Sequence, residues 1–167
     1  MHLAQLLAPQ LRQMGIGLFR GWACATTLPG YGRGRAHRNV VYTYPSGRTL
    51  ARWREHANEF PFTPQGFVGI DPSRTTGPYL LVFADGPWLS SPESPTIQLA
   101  NLSGPEGEVE VRFIDHSSPD VGPYLPAGSG MVIPVHPLER GATYTATVIL
   151  ANRTSRITRT WSFVTRR

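Results

Sequence analysis

From Pro78 onward, apolar and polar side chains alternate in short blocks. Tyr79, Leu81 and Phe83 share one face of a predicted strand, and Ile97 and Leu99 share one face of the next. Val109, Val111 and Phe113 alternate with Glu108, Glu110 and Arg112. Tyr144, Ala146, Val148 and Leu150 alternate with Thr143, Thr145, Thr147 and Ile149, and Ile157, Trp161 and Phe163 return on one parity. Met131-Val132-Ile133 reads as a short strand closed by Pro134, which has no N–H to give a ladder. Gly104-Pro105-Glu106-Gly107 and Asn152-Arg153-Thr154-Ser155 supply turns between blocks. Successive side chains of a strand point to opposite faces, so this period of two, with no helix-length repeat, predicts a mainly β fold. Short strands between turn signals specify an antiparallel β-sandwich over residues 78–167. Its inner faces are expected to bury Trp161, Phe113 and Tyr144. Residues 76–167 are expected to fold by themselves.

The upstream half is patterned differently. Leu3, Leu6, Leu7 and Leu11 fall at helical spacing, with Pro9 limiting the helix to a short one. Gly15–Phe19 and Trp22–Thr26 read as a strand and its antiparallel return, joined through Gly21 in a tight turn. Val40–Tyr44 is a short strand ended by Pro45, and residues 45–78 carry five Pro. This divides the chain into a helix-plus-hairpin unit (1–45), a Pro/Gly-rich connector (46–77) and the sandwich (78–167). The connector is expected to order only where Phe60, Phe62, Phe67 and Ile70 find a surface.

Charge sharpens that division. All 16 basic residues are Arg. Residues 1–54 hold eight Arg and no acid, whereas 55–167 hold eight Arg against eleven acids, which gives the net +5. An all-Arg basic set also follows from genome base composition. The other totals set bounds. The 167 residues suit one ordinary domain or a compact domain with an extension, and no apolar run approaches the roughly 18–20 residues of a membrane-spanning helix. The single Cys24 excludes an internal disulfide and any multi-cysteine zinc site. The N-terminus lacks the basic segment of a secretory signal, and Pro9, Gln10 and Arg12 interrupt any apolar region.

Two segments resemble known families. Leu138-Glu139-Arg140-Gly141-Ala142-Thr143-Tyr144, followed by the ending Thr160-Trp161-Ser162-Phe163-Val164-Thr165, resembles the close of bacterial Ig-like (fibronectin-like) domains. The resemblance implies structural roles for Leu138, Gly141, Tyr144, Trp161 and Phe163. Tyr144 would form a tyrosine corner, its ring buried and its hydroxyl bonded to backbone a few residues upstream. Met1-His2-Leu3-Ala4-Gln5-Leu6-Leu7-Ala8-Pro9, with Met14-Gly15-Ile16-Gly17, resembles a segment late in bacterial CAP-superfamily (SCP-like) domains, with Ala25 where that family usually has Gln. That resemblance implies that about the last 45 residues of a CAP-like domain precede the Ig-like module. Together the two imply a secreted or cell-envelope protein without cofactor.

Candidate chemistry is sparse. Asp115-His116-Ser117-Ser118 contains the residue types of a hydrolase triad, but neighbours at a strand end diverge where a triad must converge. Gly128-Ser129-Gly130 lacks the first Gly of a nucleophile elbow. His116 and His136, with Asp115 or Asp120, offer a zinc site only if they meet across the sandwich. Tyr31-Gly32-Arg33-Gly34-Arg35-Ala36-His37-Arg38, with Arg48, Arg52 and Arg54 beyond, is the strongest binding signal. Arg interleaved with Gly and aromatics neutralises phosphates and stacks on unpaired bases. The bland account is a solvated loop whose Arg stems cover apolar surface or pair with Glu55 and Glu59. The expectation is therefore a non-enzymatic module for adhesion, spacing or protein/glycan contact. An Arg-rich nucleic-acid-binding protein is the alternative.

Overall fold

The computed structural model describes residues 6–9, 11–26, 36–47, 49–56, 63–90 and 93–167. Its strands are β1 (Gly15–Phe19), β2 (Trp22–Thr26), β3 (Val40–Tyr44), β4 (Leu50–Ala51), β5 (Leu80–Asp85), β6 (Thr96–Gly104), β7 (Gly107–Val109), β8 (Val111–Asp115), β9 (Ser129–Pro134), β10 (Thr143–Ala151) and β11 (Arg156–Thr165). A one-turn helix, α1 (Pro64–Phe67), lies between β4 and β5. β1 and β2 form a hairpin by themselves. The other strands form two sheets, ordered β4-β11-β10-β6-β7 and β3-β5-β9-β8. Pairing is antiparallel except between β4 and β11, which run parallel.

The alternation read along β10 and β11 is the inner face of the five-stranded sheet. Tyr144 stands opposite Phe163 and Ala146 opposite Trp161. These four, with Val148 and Leu150, pack against Val41, Leu80, Val82 and Val132 of the other sheet in one buried cluster. The fold is therefore mainly β, with two sheets enclosing a common core. Tyr144 is buried, and its hydroxyl accepts the Glu139 N–H at 2.8 Å, pinning the loop five residues upstream. Leu138 is buried beside it, and Gly141 turns the chain with φ +67°, a conformation that disfavours a side chain.

A second core lies on the far side of the four-stranded sheet. β5 reads Leu-Leu-Val-Phe-Ala-Asp and is buried along its whole length, as a strand covered on both faces must be. Leu81, Phe83, Met131 and Ile133 point away from the first core and are covered by Ile70, Val121, Leu125 and Val135, with Phe67 packed alongside. Part of the connector thus becomes a layer of the fold, because the outer face of β5 and β9 is too apolar to leave in water. Phe60 and Phe62 lie outside the described residues.

Two expectations require correction. The sandwich does not begin at residue 78. β3 pairs with β5 from Val40 to Tyr44, and β4 pairs with the end of β11. Each covers a sheet edge that the later strands alone would expose. Phe113 is also not core. It is 40% exposed, whereas Tyr144 and Trp161 are buried. The apparent strand Val109–Phe113 is two strands in different sheets, with Glu110 at the crossing. β8 is an edge strand, so its inward-facing ring lies at the open seam between sheets.

The β1–β2 hairpin forms as its turn predicts. Arg20 and Gly21 both have positive φ, 46° and 82°, as a two-residue turn matched to strand twist requires. The side chains of β1 are exposed along its length.

Candidate functional site

The seam between β6 and β8 carries an open recess lined mainly by polar residues. At the end of β8 the Asp115 carboxylate is buried and fully engaged. One oxygen accepts the Ser117 N–H (2.9 Å) and hydroxyl (2.6 Å), and the other accepts the Ile97 N–H at 2.7 Å. The first pair closes a side-chain-stabilised turn. The second fastens β8 to the start of β6 in the opposite sheet. His116 leaves this turn with its backbone N–H on the Ser129 carbonyl at 3.1 Å.

Across the recess, Gln98 donates to the Thr96 hydroxyl at 2.7 Å. The turn between β10 and β11 is held by Asn152, whose side-chain oxygen accepts the N–H groups of Thr154 (3.1 Å) and Ser155 (2.9 Å). Its amide donates to the Glu93 carbonyl at 3.1 Å, and Arg153 pairs with the Glu93 carboxylate at 3.0 Å. With His116 and Ser117 these groups line an open cleft of about 730 Å³. Thr96, Gln98 and Ser117 also border a neighbouring recess of about 380 Å³, which Phe113 and Phe67 line. Taken together as one groove, the two adjacent recesses have hydrogen-bonding groups at one end and an exposed ring at the other.

This arrangement is suited to binding. A triad needs carboxylate, imidazole and hydroxyl in sequence. Here Ser117 bonds the carboxylate directly, and the buried Nδ1 of His116 has no hydrogen-bond partner. Burial pushes the His116 imidazole below its usual range, and the Asp115 charge and the Ser129 carbonyl oppose that shift without reversing it. The folded protein therefore prefers neutral His116. Its contribution to stability is present above the unfolded value of about 6.5 and is lost as pH falls through the lower folded value. The urea midpoint is expected to drop between neutral pH and pH 5, and His116→Gln is expected to remove part of that slope. A slope unchanged in the variant would contradict this account.

The zinc geometry is not assembled. β8 and β9 are antiparallel, with Asp115 opposite Gly130 and Val111 opposite Pro134. His116 and His136 therefore lie at opposite ends of the strand pair, and among the described residues no group of three or more His, Cys, Asp or Glu is placed to hold a metal. Of the Arg residues singled out by sequence, Arg33, Arg35 and Arg48 lie outside the described residues. Arg38, before β3, is exposed. Arg52 and Arg54 are exposed just after β4, Arg52 paired with Glu55 at 3.4 Å and Arg54 stacked on Trp53.

Sequence reasoning assigned no binding role to Gln98, Asn152, Arg153 or Phe113. Asn152 and Arg153 read as turn residues, within an Asn-x-Thr glycosylation pattern, and Phe113 as core. The groove is assembled from four separated segments, and the one local signal is Glu110, where two inward-facing valines are split between sheets. No protein-family model matches the chain, and no curated protein matches it. No helix among the described residues is long and apolar enough to cross a membrane.

Proposed function

We propose that the chain is a non-catalytic module, extracellular or in the cell envelope, whose β-sandwich contacts glycan through the groove at the β6–β8 seam. The observation that carries this reading is the pairing of a multi-donor, multi-acceptor cleft with an exposed aromatic ring beside it. A sugar ring presents hydroxyls at its rim and C–H groups on its face. Gln98, Asn152, Arg153 and Glu93 suit the first, and Phe113 suits the second. The groove is held by backbone-anchored turns, so a ligand meets a site already formed. The likeness of residues 138–165 to bacterial Ig-like domains, and of the first residues to a CAP-like segment, supports an envelope setting.

Calorimetric titration with neutral oligosaccharides (cello-, chito- and manno-series) tests the proposal. At least one series is expected to bind, and Phe113→Ala and Gln98→Ala are each expected to weaken binding about fivefold to tenfold. Gln98 is exposed, so its substitution should leave the melting temperature unchanged, and Phe113→Ala, at a ring only 40% exposed, should lower it modestly without unfolding the protein at the assay temperature. Absence of binding by every series, or binding unaffected by both substitutions, sinks the reading.

A further inference from the structure

The loop after β4, the loop before β10 and the end of β11 meet side by side, although they are far apart in sequence. Leu138 donates its N–H to the Trp53 carbonyl at 2.7 Å, Arg166 donates to the Ala51 carbonyl at 2.8 Å, and Gly141 donates to the Arg166 carbonyl at 3.2 Å. This brings Arg54 and Arg140 onto the same indole. Each guanidinium carbon lies 4.5 Å from the centroid of the Trp53 ring. Arg167 passes over Gly141 next to them, and Arg52 and Arg166 are exposed on the adjoining chain. Among the described residues, Glu55 pairs with Arg52, and none of Arg54, Arg140, Arg166 and Arg167 is in an ion pair.

One guanidinium suffices to shield an indole. A second brings like charge to within twice 4.5 Å of the first. That separation is about a Debye length at physiological salt, so the repulsion is not fully screened. An anion received by both guanidinium groups relieves it. Stacking also fixes the two planar groups before binding, so little side-chain freedom is lost when their edges engage oxygens. With two cations against the ring, Trp53 offers little face to a nucleobase. Recognition is then by charge and fork geometry.

We propose that this surface docks an acidic polysaccharide, one carrying carboxylate or sulfate groups along its chain. The site is separate from the groove. β10 begins at Thr143 beside Gly141 and ends at Ala151 on the groove's rim, eight residues later. At roughly 3.3 Å per residue the two surfaces are about 26 Å apart. The patch therefore functions whether or not the groove takes neutral sugar.

The test measures binding of heparin and polygalacturonate to the full chain at low and physiological salt, with neutral dextran and single-stranded oligonucleotide alongside. The acidic polysaccharides are expected to bind, more weakly as salt rises, and Arg54→Gln/Arg140→Gln is expected to reduce affinity about tenfold. Arg156→Gln/Arg159→Gln, at the opposite end of β11, removes the same charge and is expected to leave affinity within about twofold. Equal losses in both variants would show binding to net charge alone and overturn the proposal. So would tighter binding of the oligonucleotide than of either polysaccharide, or no binding at low salt. If the first variant melts early, Arg54→Lys/Arg140→Lys keeps charge while losing the fork, and full affinity in it also overturns the assignment.

Discussion

Trp161→Ala is expected to destabilise the protein by about 3–5 kcal/mol, the usual cost of removing a large buried aromatic. Trp161 is 7% exposed, stands opposite Ala146 across β10 and β11, and belongs to the cluster shared by both sheets. Its neighbours are strands tied by registered ladders, so the cavity left behind cannot readily collapse. Domain stabilities are about 5–15 kcal/mol, so the loss is a large part of the total. The indole Nε1 is also buried without a hydrogen-bond partner. Trp161→Phe removes that orphaned donor while keeping much of the ring, so it is expected to cost no more than about 1 kcal/mol. Urea titration of both variants checks the pair. Similar losses for Phe and Ala, or an Ala loss below about 1 kcal/mol, would contradict the packing described here.

Truncation to residues 76–167 is expected to abolish cooperative unfolding, whereas residues 36–167 are expected to retain it. The shorter chain loses β3, which is registered with β5 over five residue pairs, and β4, which covers the end of β11. It also loses Ile70 and Phe67 from the second core, uncovering Leu81, Phe83, Met131 and Ile133. Exposure costs about 1.5–3 kcal/mol for each such side chain, so even partial uncovering of four rivals the stability of a domain. Thermal melts and binding of an apolar dye to the two truncations decide the matter. A sharp transition in 76–167 at the full-length temperature would show that the earlier strands are dispensable.

The parts of the fold legible in the sequence are those where one face of a strand is buried and the other is wet. Tyr144, Ala146, Val148 and Leu150 declare their face because Thr143, Thr145 and Thr147 declare the other. The turn at Asn152–Ser155 is legible because an Asn side chain closes it locally. Phe113 is the counterexample. Its parity is right, since it faces inward, but parity does not tell that β8 lies at a sheet edge, with no further strand beyond it among the described residues. The outer face of β5 misleads in the opposite direction. A run buried on both faces has no alternation to reveal which later segment covers it. The same gap separates the Arg residues named by sequence from the site they enter. Arg52 and Arg54 stand out in a stretch without acids, but Arg140 and Arg167 do not, and only contact between distant loops makes them one patch.

By itself, the amino-acid order determined the strand class, the turns between strands and the identity of most inner-face side chains. These follow from local stereochemistry and from the cost of leaving every second side chain in water. Tertiary structure alone decided which strands close each sheet edge, that residues 64–70 roof a second core, and that groove and Arg–Trp surface exist. Those features depend on pairings between residues dozens of positions apart, whose free energy is set by the surfaces that meet and leaves no periodic trace in either segment.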